Sequence, residues 1–228
     1  MSLKIKILFV GVAAAALSAG FWMSSIQQQS IDEDASIAKQ RALTDARKSY
    51  SPIQGTILSP PRKISIPALL KDNAESFTNK DILGQWHFMF FGYTHCPDVC
   101  PTTMGVLAQA KKIASDNNHI FPQVIFVSVD PQRDKVEMLT EYLQYFDKDF
   151  IGVTGNEKLI KALTLQMSVV YLKMAPEEGA AEDNYVMDHS AALLLLNPEG
   201  KLVAFLNPPF TPKSILKDFQ TVVNSYKD

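Results

Sequence analysis

Cysteine is the scarcest reactive residue of this chain: 2 among 228, alongside only 4 histidines. Two cysteines cannot build a disulfide framework, and they cannot supply the thiolates of a closed, all-cysteine zinc site. Lysine and arginine never run beyond two in succession, and the formal net charge is −2 at pH 7. No cationic footprint for nucleic acid or an acidic polymer is therefore present. Internal repeats are absent too, which excludes a solenoid. What remains is a chain whose 46% apolar content suffices for one ordinary core plus extensions.

Long apolar runs are missing with one exception. After Lys4 and Lys6 comes ILFVGVAAAALSAGFWMSSI, Ile7 to Ile26, and the next charge is Asp32. Twenty residues at about 1.5 Å each match the roughly 30 Å hydrocarbon core of a bilayer. The two lysines in front favour an N-in orientation, and Trp22 stands near the far interface. Ser18-Ala19-Gly20 offers a cleavage site as the competing reading, but the run is long enough to span, so 1–26 reads as an uncleaved anchor with a short cytoplasmic flank. No Arg-rich, Ser-rich transit peptide precedes it. The expected setting is the inner membrane of a bacterium, crossed once, with the C-terminal domain on the periplasmic side.

Residues 27–54 are polar and rich in helix formers, and read as a stalk. From 55 to 228 helix and strand periods alternate. Short edge strands are expected around Ile57, Leu58, Ile64, Ile66 and Leu69. Buried strands follow at Trp86–Phe91 and Val124–Val129, with a helix over 101–118 between them. Asp134 with Glu137 resembles a capping box opening a helix to about Phe146. A strand near Phe150–Val153, a helix over 157–167, a hairpin of Ala191–Leu196 with Leu202–Leu206, and a helix from Pro212 to Tyr226 complete the order. Parallel strands joined by helices and closed by an antiparallel hairpin predict an α/β, thioredoxin-like fold with a central mixed sheet flanked by helices.

Both cysteines fall in FFGYTHCPDVCPTTM, as Cys96 and Cys100, at the carboxyl end of a central strand. Helical residues four apart hold their Cβ atoms ~5–6 Å apart, whereas a disulfide wants about 3.5–4.5 Å, so closing this pair must distort the turn. Pro97 and Pro101 lack N–H groups, which costs little in a first helical turn. The helix start favours thiolate, which is both nucleophile and metal ligand. A static disulfide, a redox pair and a metal site are all compatible with the motif. Redox motifs normally place two residues between the cysteines, and three stand here.

A metal needs a further ligand, and four histidines are on offer. His87 lies inside a strand pattern and reads as packing. His95 adjoins Cys96, so its side chain diverges from its neighbour's sulfur. His119 ends a helix beside two asparagines. His189, in YVMDHSAALLLL, feeds the final hairpin, and in a thioredoxin-like sheet that segment faces the start of the first helix. Cys96, Cys100 and His189 then form a soft three-ligand set, one that takes Cu(I) and, with a further ligand, Cu(II).

The stretches GYTHCPDVCPTTM, FVSVDPQRD, TGNEKLIKAL and YVMDHSAALLLLNPEGKLV, from about Gly55 to the C-terminus, closely resemble the Sco/SenC family. The resemblance implies a membrane-tethered, thioredoxin-like domain that binds one copper through Cys96, Cys100 and His189. It further implies help in assembling the dinuclear copper site of cytochrome c oxidase subunit II, with an upstream copper donor and a thiol reductant as further partners. Such a protein is a metallochaperone rather than an enzyme. The alternative is a thiol–disulfide oxidoreductase acting through Cys96 and Cys100 on the cysteines of the target. Asp98 reads as a helix-start carboxylate, Asp188 as a partner of His189 or a loop cap, and Asp130 and Arg133 as a turn and a cap or as a partner surface. Phe88, Phe90 and Phe91 read as core. One departure is Ala68, where the family pattern leads one to expect an aromatic.

Overall fold

The computed structural model describes residues 35–40, 53–176, 179, 181 and 184–226. The chain divides into two compact units, Met1–Ser51 and Pro52–Asp228. In the first, residues 35–40 form an exposed helical segment. The anchor expected at Ile7–Ile26 and most of the stalk lie outside the described residues. Among those described, no helix is long and apolar enough to cross a membrane.

The second unit begins with β1 (Gly55–Lys63), β2 (Leu69–Lys71), β3 (Ser76–Phe77) and a 3-10 turn at Asn79–Ile82. Then come β4 (His87–Gly92), α1 (Val99–Asp116), β5 (Gln123–Ser128), α2 (Val136–Gln144), β6 (Ile151–Thr154) and α3 (Glu157–Gln166). A ribbon of β7 (Tyr171–Lys173) and β8 (Met187–His189) precedes β9 (Leu193–Leu196), β10 (Lys201–Leu206) and α4 (Pro212–Ser225). The main sheet has the order β1-β10-β9-β4-β5-β6-β2-β3, with β7 and β8 paired only to each other.

β4 (HFMFFG) and β9 (LLLL) are buried at every position. Successive side chains point to opposite faces, so both faces of the sheet centre are covered, which is why these strands read as unbroken apolar runs. β5 lies parallel to both β4 and β6, whereas β9 runs antiparallel to β4. The sheet is thus mixed, as expected. Pro60 and Pro61 are tolerated in β1 because it is an edge strand whose register breaks between Ile57 and Arg62. Asn197 and Gly200, at φ 71°, turn β9 into β10. Ala68 is exposed and the neighbouring Leu69 buried, so the missing aromatic would have lain on the surface.

Two local expectations differ from the structure. Asp134 and Glu137 form no capping box: α2 starts at Val136 behind Lys135, with no side-chain cap. Asp134 is instead fully buried and accepts hydrogen bonds from Thr94 and Ser128, partners that are distant or offset in sequence. The ribbon β7–β8 is the second difference, since His189 ends a short strand rather than lying on a loop. Three-residue strands with exposed sides carry too little periodicity to be read.

Candidate metal centre

The cysteines are placed by a strand, a turn and a helix start in succession. β4 ends at Gly92, the chain turns through Tyr93 to Asp98, and α1 opens at Val99. Cys96 sits in the turn, its N–H donating to the Tyr93 carbonyl at 3.2 Å. Cys100 lies in the first helical turn, fully buried, while Cys96 is half-buried; both are free thiols. Gly92 makes this approach possible. A Cβ there would stand 2.7 Å from Cys100 Sγ and 2.9 Å from Phe126 Cε2. Pro101 occupies an early helical position, where its missing N–H has no intrahelical partner to lose.

His189 arrives from the ribbon. Its Nε2 lies 3.4 Å from Cys100 Sγ, and donor atoms of Cys96, Cys100 and His189 all fall within 4.8 Å of one another. Nδ1 faces the Ser190 carbonyl at 3.1 Å. A carbonyl only accepts, so Nδ1 carries a proton, and Nε2 is the ring atom left facing the sulfurs. The rings of Phe90 and Tyr93 stand edge-on to the imidazole, at 6.0 and 5.9 Å, and wall the site off from the core.

The two thiols are electrostatically unequal. Cys96 is pulled down to about 3, first by the S–H of Cys100, then by the His189 ring and the N–H groups of Asp98 and Cys100, against the cost of burial. Cys100 is pushed up, by donating to Cys96 and by its own burial. A partly buried thiolate therefore sits over a fully buried thiol. The three donors are soft and borderline, compact and unshared with any carboxylate, which suits copper better than a hard ion.

Of the four histidines, only His189 joins the sulfurs. His87 is buried at the opposite end of β4, and His119 is exposed beyond α1. His95 turns aside, with Nδ1 3.0 Å from Thr94 Oγ1 and 3.8 Å from Asp134. Asp98 flanks the helix start, where its backbone carbonyl receives Thr102 N–H, and it caps nothing with its side chain. Asp188 is exposed and alternates away from His189 along the strand. Sequence reasoning overlooked Tyr93, Thr94 and Tyr185, which surround the site. An aromatic next to a cysteine turn carries no signal of its own until the partner segment is in place.

Comparison with known proteins points one way. The family model described as SCO1/SenC matches residues 64–224. Protein SCO1 homolog 1, mitochondrial, of Arabidopsis thaliana is 36% identical over 138 residues, 60% of this chain and 40% of that protein. A SCO2-like protein of Rickettsia felis is 33% identical over 150 residues, 65% of this chain and 71% of its own length. The crystal structure of Arabidopsis thaliana ScoI with copper bound superposes with a TM-score of 0.63 at 32% identity, covering 73% of this chain and 100% of that one.

Proposed function

The chain belongs to the SCO1/SenC family, and from that premise we propose that it is a copper metallochaperone, one that carries a single copper as cargo through Cys96, Cys100 and His189. The observation that carries this reading is the compact donor set, with Nε2 of His189 turned toward the sulfurs by the hold of Ser190 on Nδ1. A relative of known structure holds copper, which supports the choice of metal. Two thiolates suit Cu(I), while the imidazole adds the ligand that Cu(II) favours. The half-buried sulfur of Cys96 is the edge of the site from which cargo leaves for an acceptor. The acceptor we propose is the dinuclear copper site of cytochrome c oxidase subunit II, loaded at the outer face of a bacterial inner membrane to which Ile7–Ile26 tethers the protein.

The decisive test is copper stoichiometry and affinity of the full chain, reduced and oxidised. One tightly held Cu(I) per reduced chain is expected, with a strain lacking the gene short of active oxidase. A reduced chain that takes up no copper sinks the proposal. The anchor is tested apart from the site: an alkaline phosphatase fused to the C-terminus should be active and remain with membranes after a carbonate wash.

A second reading has its own support in the low-lying Cys96 thiol. Its thiolate attacks one sulfur of a target disulfide and releases the other as a thiolate. Cys100, once deprotonated, attacks Cys96 and frees the reduced target, leaving a Cys96–Cys100 disulfide to be reduced by an external dithiol. That chemistry needs the two sulfurs and leaves His189 without a task.

A further inference from the structure

The turn Asp130–Asp134 (DPQRD) follows β5 and looks from sequence like a cap, yet it caps nothing. It is closed by the Asp134 N–H on the Asp130 carbonyl at 2.9 Å, and both of its carboxylates are buried. Each reaches a different ligand-bearing segment. Asp134 accepts from the N–H and the hydroxyl of Thr94, at 3.0 and 2.6 Å, two residues before Cys96. Asp130 accepts from the hydroxyl of Tyr185 at 2.7 Å, four residues before His189.

Arg133 completes the second grip. Its guanidinium pairs with Asp130, donates Nη1 to the Tyr185 carbonyl at 3.0 Å, and stacks on the Tyr185 ring at 3.6 Å. Ser128 ties the two grips together, its hydroxyl donating to Asp134 at 2.6 Å and accepting from the Asp130 N–H at 3.0 Å. Thr154 in β6 holds the Asp134 carbonyl. This matters because the ribbon carrying His189 has no ladder to the main sheet. Its position relative to the sulfurs is set by the short link into β9 and by side chains that reach it.

We propose that the Asp130–Asp134 turn is a bracket that fixes His189 against Cys96 and Cys100, with Tyr185 and Thr94 as positioning residues. The role in copper binding rests on the metallochaperone reading; the mechanical coupling does not. Cutting either grip loosens the other, because both hang from one five-residue turn. A ligand set held in register binds copper more tightly than the same ligands on independent segments, and Cu(II) feels the loss more than Cu(I).

The test begins with the reduced, metal-free full chain. The Thr94 amide reports one grip, through Asp134, and the Ser190 amide, which donates to Val170 across the ribbon at 2.9 Å, reports the other. Tyr185→Phe removes only the hydroxyl on Asp130. Hydrogen exchange should quicken about fivefold at both amides, the scale of one lost hydrogen bond, and stay unchanged in β4. Cu(II) affinity, by chelator competition, should fall about tenfold.

Faster exchange at Ser190 with Thr94 unmoved means two separate pins and overturns the bracket. A uniform increase that includes β4, with copper affinity unchanged, makes Tyr185 mere packing and overturns it equally. Should Tyr185→Phe fail to fold, Thr94→Val works from the other side: it must quicken Ser190, while Thr94→Ser, which keeps the hydroxyl, must not. If the wild-type chain bound no copper, the function would fall, and exchange at the two amides would still decide the bracket.

Discussion

Cys100 Sγ and His189 Nε2 stand 3.4 Å apart although 89 residues separate them in the chain. The sulfur is delivered by the helix following β4, the nitrogen by the ribbon before β9, and β9 lies against β4 in the sheet. That adjacency, not any local motif, makes the pair. Replacing His189 with alanine removes one of three donors and leaves both thiols. Copper affinity should fall at least about tenfold, the lower end of what loss of even an outer partner costs. Cu(II) should suffer more than Cu(I), and thiol–disulfide exchange with a small disulfide should be nearly unchanged. Normal oxidase assembly by this variant, at wild-type protein levels, would decide for thiol chemistry against copper delivery.

Copper and a Cys96–Cys100 disulfide should exclude each other, because the bond and the metal use the same sulfur electrons and ligation requires deprotonated thiols. Oxidised chain titrated with Cu(I) should bind none until a reductant is added. Uptake of one equivalent by fully oxidised protein, at undiminished affinity, would remove both cysteines from the ligand set.

Gly92 is a second point of control. An alanine there places its methyl 2.7 Å from Cys100 Sγ and 2.9 and 3.0 Å from the Phe126 ring. Both neighbours lie in a filled core, so the strand end or α1 has to shift. Gly92→Ala should cost about 1–3 kcal/mol in denaturant unfolding, as overpacking does. It should also weaken copper binding by displacing the buried sulfur. An unchanged midpoint together with unchanged affinity would show that the helix start gives freely.

Alkylation should single out Cys96. A thiol lowered to about 3 is thiolate at every pH above that value, and the thiolate is the nucleophile. The rate of modification by iodoacetamide in the reduced, metal-free chain should therefore stay level from pH 8 down to about 5 and fall only as pH nears 3. Cys100, pushed up and buried, should be spared until Cys96 is blocked. Peptide mapping after limited reaction reads both. A rate that drops tenfold for each pH unit below about 8.5, the ordinary thiol value, would mean that Cys96 is not activated.

The sequence by itself determined the class of fold and named the candidate donor set that the structure brings together. HFMFFG and LLLL are short apolar runs of strand length, which read as strands buried on both faces, and the alternation of such runs with helical periods orders a mixed sheet. C-P-D-V-C-P put two sulfurs at a strand's carboxyl end, and the distant D-H-S supplied the remaining donor type. Those signals survive in one dimension because burial patterns are local and periodic.

What only the tertiary structure decided are the relations between segments. Asp134 looks like a helix cap in sequence, being followed by Glu137 at cap spacing, but Thr94 and the buried Ser128 compete for it and win. His189 ends a strand too short to show a period. Tyr185 carries no motif, and its hydroxyl acquires meaning only when Asp130 stands 2.7 Å away. A hydrogen bond across 55 residues depends on how the sheet folds, and no local preference records it.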